Sequence, residues 1–298
     1  MDLSDAIETY QNGGRAALEA QATARDWYQV HIEWPDWTTA EHTAAHELGP
    51  RLQQLQASGI VDGWWFIRKA PCWRLRLKPG QGATPDDLQA ASSAVLDHLL
   101  SNALISRWRR TMYEPETVAF GGAQGMEIAH SLFCADSANI LTYASQPKPD
   151  IGRRELSILL CNALFDGASQ EWFERGDIWD RVTQMRPAPR DAPTGRLVSL
   201  AASIRTLLAF NLQPENPLSD ADNALIAYTD WASAFCQAGQ AIAAAAGEGT
   251  LIHGIRDTLR HHVIFHWNRL GLPASTQSNL AHAARTAVFS SSSSNHSR

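Results

Sequence analysis

At Gly121-Gly122 the apolar residues of this chain change period. Before the pair, short segments alternate bulky and polar side chains, the two-residue repeat of strands, with two stretches of helical spacing between them. After it, nearly every stretch is spaced as a helix. A chain divided this way is read as α+β, with the sheet confined to its first part. The same place concentrates groups that carry protons: Glu114, Glu116, His130, Asp136 and Ser137 surround a loop that enters a helix.

The order of elements follows from local signals. Trp27 to Glu33 alternates as a half-buried strand. Thr38 to Gln56 has helical spacing (Ala45, Leu48, Leu52, Leu55) and Gly59 stands where a left-handed cap residue ends a helix. Trp64–Lys69 and Trp73–Lys78 read as strands joined through Ala70-Pro71. Thr84-Pro85-Asp86-Asp87 starts a helix, with a capping hydroxyl, proline in the first turn and acids at the positive dipole end. That helix runs to about residue 100, and Ile105 to Tyr113 is a fourth strand. The resulting β-α-β-β-α-β order is that of a ferredoxin-like split unit. Helices are expected over 124–134, 153–166, 170–184, 194–210, 220–246, 249–269 and 276–289. Pro187, Pro189 and Pro193 mark one loop, Pro214 and Pro217 another, and Ser290 to Arg298 reads as a disordered tail.

Composition limits the partners. With 298 residues, 44% apolar and 19% charged, the chain can bury a sizeable core. The expected organisation is a single domain over 1–289: a helical arm at 1–25, an α/β part at 26–118 and a mainly helical part at 119–289. A net charge of −6 supplies no global field for nucleic acid. Local basic clusters at Arg74, Arg76 and Lys78, and at Arg107, Arg109 and Arg110, suit a carboxylate-rich peptide as well as a phosphate. Cys72, Cys134, Cys161 and Cys236 are widely spaced, and the N-terminus lacks the apolar core of a signal peptide. Reduced thiols in a cytoplasmic protein are expected. No apolar run approaches the roughly 20 residues that span a bilayer, so no membrane partner is expected.

Few residues carry chemistry unambiguously. His42 and His46, and likewise His262 and His266, share helix faces, yet solvated or packed histidines explain both pairs and no metal site is read. No phosphate loop, dinucleotide fingerprint or nucleophile elbow is present. The 11 tryptophans include Trp64 and Trp65, which alternation sends to opposite faces, and Trp73. Core packing and stacking on flat substrate rings both fit them. Arg74 and Arg76 project to one face, beside the strand bearing Arg68; as fixed planar cations they suit a carboxylate, a phosphate or a developing oxyanion, or a structural role. His130 lies on the helix face of Met126 and Phe133, where a packed histidine and a proton carrier are both readings. Asp136-Ser137 equally reads as the cap of a next helix.

A set of fragments in fixed order carries a resemblance. Trp64-Trp65-Phe66-Ile67-Arg68, Trp73-Arg74-Leu75-Arg76, Tyr113-Glu114-Pro115-Glu116, Phe120-Gly121-Gly122, Ala129-His130-x-Leu132-Phe133-x-x-Asp136-Ser137 and Asn268-Arg269-Leu270-Gly271 resemble the C-terminal elimination domain of class I lanthipeptide dehydratases. Among these they look most like the stand-alone members that make the central pyridine of thiopeptides. The departures point the same way. Elimination domains usually carry His-x-Arg-x-Arg where this chain has Trp73-Arg74-x-Arg76, and Glu-x-x-Arg-Tyr-Gly-Gly where it has Glu116-x-x-Ala119-Phe120-Gly-Gly. They carry His-Met-x-x-Asn-Arg where it has Ile264 at the histidine position but keeps His266, Asn268 and Arg269.

The resemblance implies thiopeptide biosynthesis by a formal (4+2) aza-cycloaddition between two dehydroalanines of a leader-bearing thiazole peptide. Water and the leader carboxamide are lost as the pyridine and the macrocycle form. No cofactor is implied, because the reaction has no net redox change. The expected partner is the modified precursor peptide, with homodimerisation left open. On this reading Arg74 and Arg76 are donors, His130 a proton shuttle, Asp136 an orienting group, and Ser137 and Tyr143 donors to the amide. Arg68, Trp64, Trp65, Trp73, Tyr113, Glu116, Asn268 and Arg269 are expected to bind substrate. Glutamate elimination from glutamylated Ser/Thr and silent precursor binding are the alternatives.

Overall fold

The computed structural model describes residues 27–188, 194–209 and 223–290, with Asp2, Leu3, Ser4, Ile7, Tyr10, Gln11 and Gly14 from the first 26. Most of the expected N-terminal arm, the prolines at 189, 193, 214 and 217, and the serine-rich tail beyond Ser290 lie outside the described residues. The chain forms two compact units, Met1–Pro147 and Lys148–Arg298. Among the described residues no helix is long and apolar enough to cross a membrane.

The first unit is built in the order β1 (Tyr28–Glu33), α1 (40–57), β2 (Val61–Lys69), β3 (Cys72–Pro79), α2 (Pro85–Ser101), β4 (Arg107–Thr111) and α3 (Ala123–Ser145). The strands make one antiparallel sheet in the order β2-β3-β1-β4. With two helices crossing between strands, this is the ferredoxin-like split unit that the sequence predicts. Alternation sorts the faces: Val30, Ile32, Trp64, Phe66, Leu75 and Leu77 are buried on one, while Gln29, His31, Arg74 and Arg76 share the other.

Capping fixes the helix starts and close contacts fix the packing. The Thr84 hydroxyl accepts the Asp87 N–H at 3.1 Å, and the Asp87 carboxylate accepts the Thr84 N–H at 2.9 Å, a reciprocal capping box with Pro85 in the first turn. Helix α1 widens into a π turn at Ala44–Leu48. The next residue, Gly49, approaches α3 so closely that a Cβ there would lie 3.2 Å from Leu141 Cδ1.

Helix α3 corrects one expectation. It was predicted to stop near residue 134, and capping a next helix was one reading of Asp136-Ser137, but it runs unbroken to Ser145 and buries both residues. No glycine or proline interrupts Ala135–Ser145, and tertiary packing overrides the capping preference of the pair. The Ser137 hydroxyl accepts the Phe66 N–H at 3.2 Å, satisfying a donor on the edge strand β2.

The second unit contains α4 (Arg153–Gly167), α5 (Trp172–Met185), α6 (Thr194–Leu208), the single turn α7 (Asn223–Ile226), α8 (Thr229–Gly247), α9 (Ile255–Leu270) and α10 (Ala274–Phe289). The helix predicted over 220–246 is broken at Ala227-Tyr228, and the one predicted from 249 begins at Ile255, after Gly254. Helices α4 and α8 touch backbone to backbone. A Cβ on Gly167 would meet the Cys236 carbonyl at 2.0 Å, and one on Gly239 would meet the Leu164 carbonyl at 2.1 Å. Trp179 of α5 and Trp267 of α9 stack with centroids 5.9 Å apart.

Candidate functional site

The strand register arranges the polar face of the sheet in transverse rows. Thr111 of β4 stands opposite Gln29 of β1, which stands opposite Arg76 of β3, which stands opposite Trp65 of β2. The next row is Arg109, His31, Arg74 and Ile67, and the one beyond it places Arg107, Glu33, Cys72 and Lys69 side by side. In these rows His31 lies between Arg109 and Arg74, and Arg107 faces Glu33, so the cations are spaced by other side chains rather than opposed directly.

Arg76 is only 3% exposed and is held on three sides. Its Nε–H donates to Gln29 Oε1 at 2.7 Å, and its guanidinium carbon lies 4.0 Å from the Trp65 ring and 4.8 Å from the Tyr113 ring. Cation–π contacts of a desolvated guanidinium are worth about 2 kcal/mol. Behind it the Tyr113 hydroxyl and His130 Nε2 are 2.8 Å apart. Trp27 packs on the imidazole at 4.7 Å between centroids, and Phe133 packs on Trp65 at 4.8 Å. Gly121 and Gly122, both at positive φ, turn the chain into α3 immediately before the helix that carries His130.

This environment sets protonation. Burial, then the charges of Arg76 and Lys78, push His130 down to about 3, so its imidazole is neutral at pH 7. Burial dominates the opposite shift at Tyr113, whose phenol is driven well above its ordinary range despite Arg76. The result is a neutral phenol–imidazole pair beside a fixed cation. At the half-buried edge of the same face, His31 is held below its ordinary value by burial, Arg74 and Arg109. His130 Nδ1, His31 Nδ1 and Arg74 Nε are buried without a hydrogen-bond partner among the described residues.

Not every expected site residue joins this group. Arg68 points to the opposite face from Arg74 and Arg76. It stands opposite Trp73 in the register, pairs with Glu41 and lies over the Trp73 ring at 4.7 Å. Trp73 stacks on Phe66 at 4.6 Å and meets Trp34 edge-on, and Trp64 is also buried; neither ring face is open for stacking. Glu116 is exposed. Its carbonyl accepts the Phe120 N–H in the turn before the glycines. Asp136 is fully buried, and Tyr143 lies ~20 Å of helix rise beyond His130. Asn268 and Arg269 belong to the second unit, where Asn268 Oδ1 accepts from Gln277 at 3.0 Å and Arg269 is fully buried. His262 of that unit is pushed down to about 3 by burial, then by Arg269 and His261.

Two members of the group, Trp27 and Gln29, were not singled out as site residues by sequence reasoning. The signal for Gln29 was present, since it alternates with apolar residues in β1 as His31 and Glu33 do. Its partners become visible only with the register. Among the described residues no three metal-ligating side chains gather at one point.

Comparisons with known proteins follow the fold. The family described as lantibiotic biosynthesis dehydratase C-term matches residues 27–288. The tRNA-dependent lantibiotic dehydratase MibB from Microbispora sp. 107891 superposes with a TM-score of 0.68 at 17% identity, covering 89% of this chain. The chain spans only 28% of that enzyme's length. TsrL superposes at 0.60 with 15% identity, covering 88% of this chain and 93% of its own. TbtD, a pyridine synthase from thiomuracin biosynthesis, superposes at 0.58 with 12% identity, covering 88% and 97%. No curated protein matches the sequence.

Proposed function

The chain belongs to the lantibiotic biosynthesis dehydratase C-terminal family, and on that premise we propose that it is a cofactor-independent pyridine synthase acting on a modified precursor peptide. Its substrate is a leader-bearing peptide with thiazoles and two dehydroalanines. One dehydroalanine, with its preceding amide in the iminol form, serves as the 2-azadiene and the other as the dienophile. Two carbon–carbon bonds close the six-membered ring. Water then leaves with the hydroxyl of the former amide carbon and one ring proton. The leader leaves as a carboxamide with a second ring proton, and the ring becomes aromatic.

The observation that carries this reading is the buried arrangement of Arg76, Tyr113 and His130, a fixed cation beside a neutral proton-exchanging pair. The reaction needs no protein nucleophile. Bringing the two alkenes together contributes about 7–11 kcal/mol in favourable cases. Arg76, with Arg74 at the more accessible edge, stabilises the negative charge that develops on the amide oxygen as the N–H proton leaves, before that oxygen is protonated to give the neutral iminol. Tyr113 and His130 exchange protons during the two eliminations without either becoming charged in the resting protein. Trp27 and Trp65 wall the pair, while Asp136, Ser137 and Tyr143 support α3. Glutamate elimination is the less favoured chemistry, because Ala119 and Ile264 stand where elimination domains carry arginine and histidine.

The test is mass spectrometry of a thiazole- and dehydroalanine-containing precursor incubated with the protein. The expected result is loss of water together with release of the leader carboxamide. Loss of glutamate alone from a glutamylated precursor would replace this reading with elimination. Binding without any mass change would make the protein a precursor-binding subunit.

A further inference from the structure

The row Thr111–Gln29–Arg76–Trp65 contains a side chain whose polar contacts among the described residues serve to aim another. Gln29 is 5% exposed and lies on β1, directly opposite Arg76 on one side and Thr111 on the other. Its Nε2 donates to Thr111 Oγ1 at 2.8 Å and to the Met112 carbonyl at 2.7 Å. Both amide hydrogens are thereby used, which settles the amide orientation from its network and turns Oε1 toward β3. Oε1 then accepts Arg76 Nε–H at 2.7 Å, and the guanidinium plane is carried over Trp65 and Tyr113. A glutamine spends side-chain entropy to be held this way, and an apolar residue on a buried sheet face would avoid the polar desolvation.

We propose that Gln29 is the positioning residue for Arg76, a mount braced on the end of β4 that fixes the guanidinium relative to the Tyr113–His130 pair. The inference rests on the pyridine-synthase reading for its catalytic consequence, but the mount itself has a separate readout. Gln29 touches no reacting atom; it acts through Arg76. Because β4 leads straight into the Tyr113 segment, one amide ties together the strand that bears the cation and the strand that leads to the phenol.

Two variants separate the mount from plain packing. Gln29→Met keeps the volume and removes the acceptor. Gln29→Glu keeps an acceptor for Arg76 Nε–H while losing the bonds donated to Thr111 and Met112. The first measurement is hydrogen exchange of the Arg76 Nε–H resonance, assigned by its loss in Arg76→Lys. It should be slow in the wild type and in Gln29→Glu, and at least about tenfold faster in Gln29→Met, as a lost buried hydrogen bond of about 1.5 kcal/mol requires. The second is steady-state turnover of the thiazole- and dehydroalanine-containing precursor. For Gln29→Met kcat should fall about 10- to 100-fold with KM within about twofold. Gln29→Glu should recover most of kcat although its melting temperature is lower. Unchanged exchange in Gln29→Met would overturn the mount, and so would kcat losses in both variants that simply track their melting temperatures. If the wild type makes no pyridine, the functional reading fails, and the exchange measurement still decides whether Gln29 holds Arg76.

Discussion

The Tyr113 hydroxyl lies 2.8 Å from His130 Nε2, in a setting where burial keeps the phenol protonated and the imidazole neutral. The pair spans two elements, the segment after β4 and the second turn of α3, and Arg76 from β3 lies over the phenol ring. Its consequences reach from stability to turnover.

His130 and His262 make stability depend on acid. Each is held near 3 in the folded protein against an unfolded value of 6.5. Between those limits the unfolded chain binds more protons than the folded one, so stability present in full above pH 6.5 is lost as pH falls. At pH 4 each histidine forfeits on the order of 3 kcal/mol. Calorimetric melting temperatures should drop steeply from pH 7 to pH 4, and the drop should be shallower in His130→Gln. Equal slopes for variant and wild type would refute the assignment.

Arg76→Lys should separate chemistry from folding. Lysine keeps the charge but loses the planar stack on Trp65 and the Nε–H aimed at Gln29. Turnover of the precursor is expected to fall about 100-fold, the scale of removing one oriented donor. Leader-dependent binding, followed by fluorescence polarisation, should change less than threefold by comparison. Full activity in this variant would remove Arg76 from the mechanism.

Ser137→Ala tests a structural role for a residue that the resemblance placed in catalysis. The change strands the buried Phe66 N–H of β2 and should cost about 1–3 kcal/mol in chemical denaturation. Turnover measured well below the melting temperature should stay within twofold of wild type. A large loss of kcat with little loss of stability would return Ser137 to the chemistry.

Gly239→Ala should be among the most damaging single changes in the second unit. The added methyl would sit 2.1 Å from the Leu164 carbonyl, a backbone atom that cannot swing aside. Separating α4 from α8 should cost about 3 kcal/mol or more, read as a fall in melting temperature. The exposed Gly249, where no atom lies within 4 Å of a built Cβ, provides the contrast despite its positive φ. Its alanine variant should lose only about 1 kcal/mol.

Much of the first unit was legible because its signals are local. The alternation in Tyr28–Glu33 and Cys72–Pro79 separates buried from polar positions without knowledge of partners, and Thr84 with Asp87 marks the start of α2. Arg74 and Arg76 were placed on one face by the same two-residue period. The face of Arg68 relative to them was left undecided, because alternation within a strand says nothing about its register with the next. Pairing Arg68 with Trp73 puts it on the opposite face, where Glu41 is within reach. A cap stayed open as one reading of Asp136-Ser137 for a related reason. Its helix-breaking preference is local, but the N–H that Ser137 satisfies lies 71 residues away in sequence.

By itself, then, the sequence determined the ferredoxin-like order, the switch to helix after Gly121-Gly122, and a family pattern with Ala119 and Ile264 in altered positions. Those properties depend on side-chain period, capping and residue identity, which act over a few residues. Only the tertiary structure decided which polar groups form one site. Gln29, Arg76, Tyr113 and His130 come from four separate stretches of chain, and hydrogen bonds and ring contacts join them only once sheet register and helix docking are set. The shifted protonation of His130 belongs to that second level as well, since burial, its largest cause, is a property of the packed molecule.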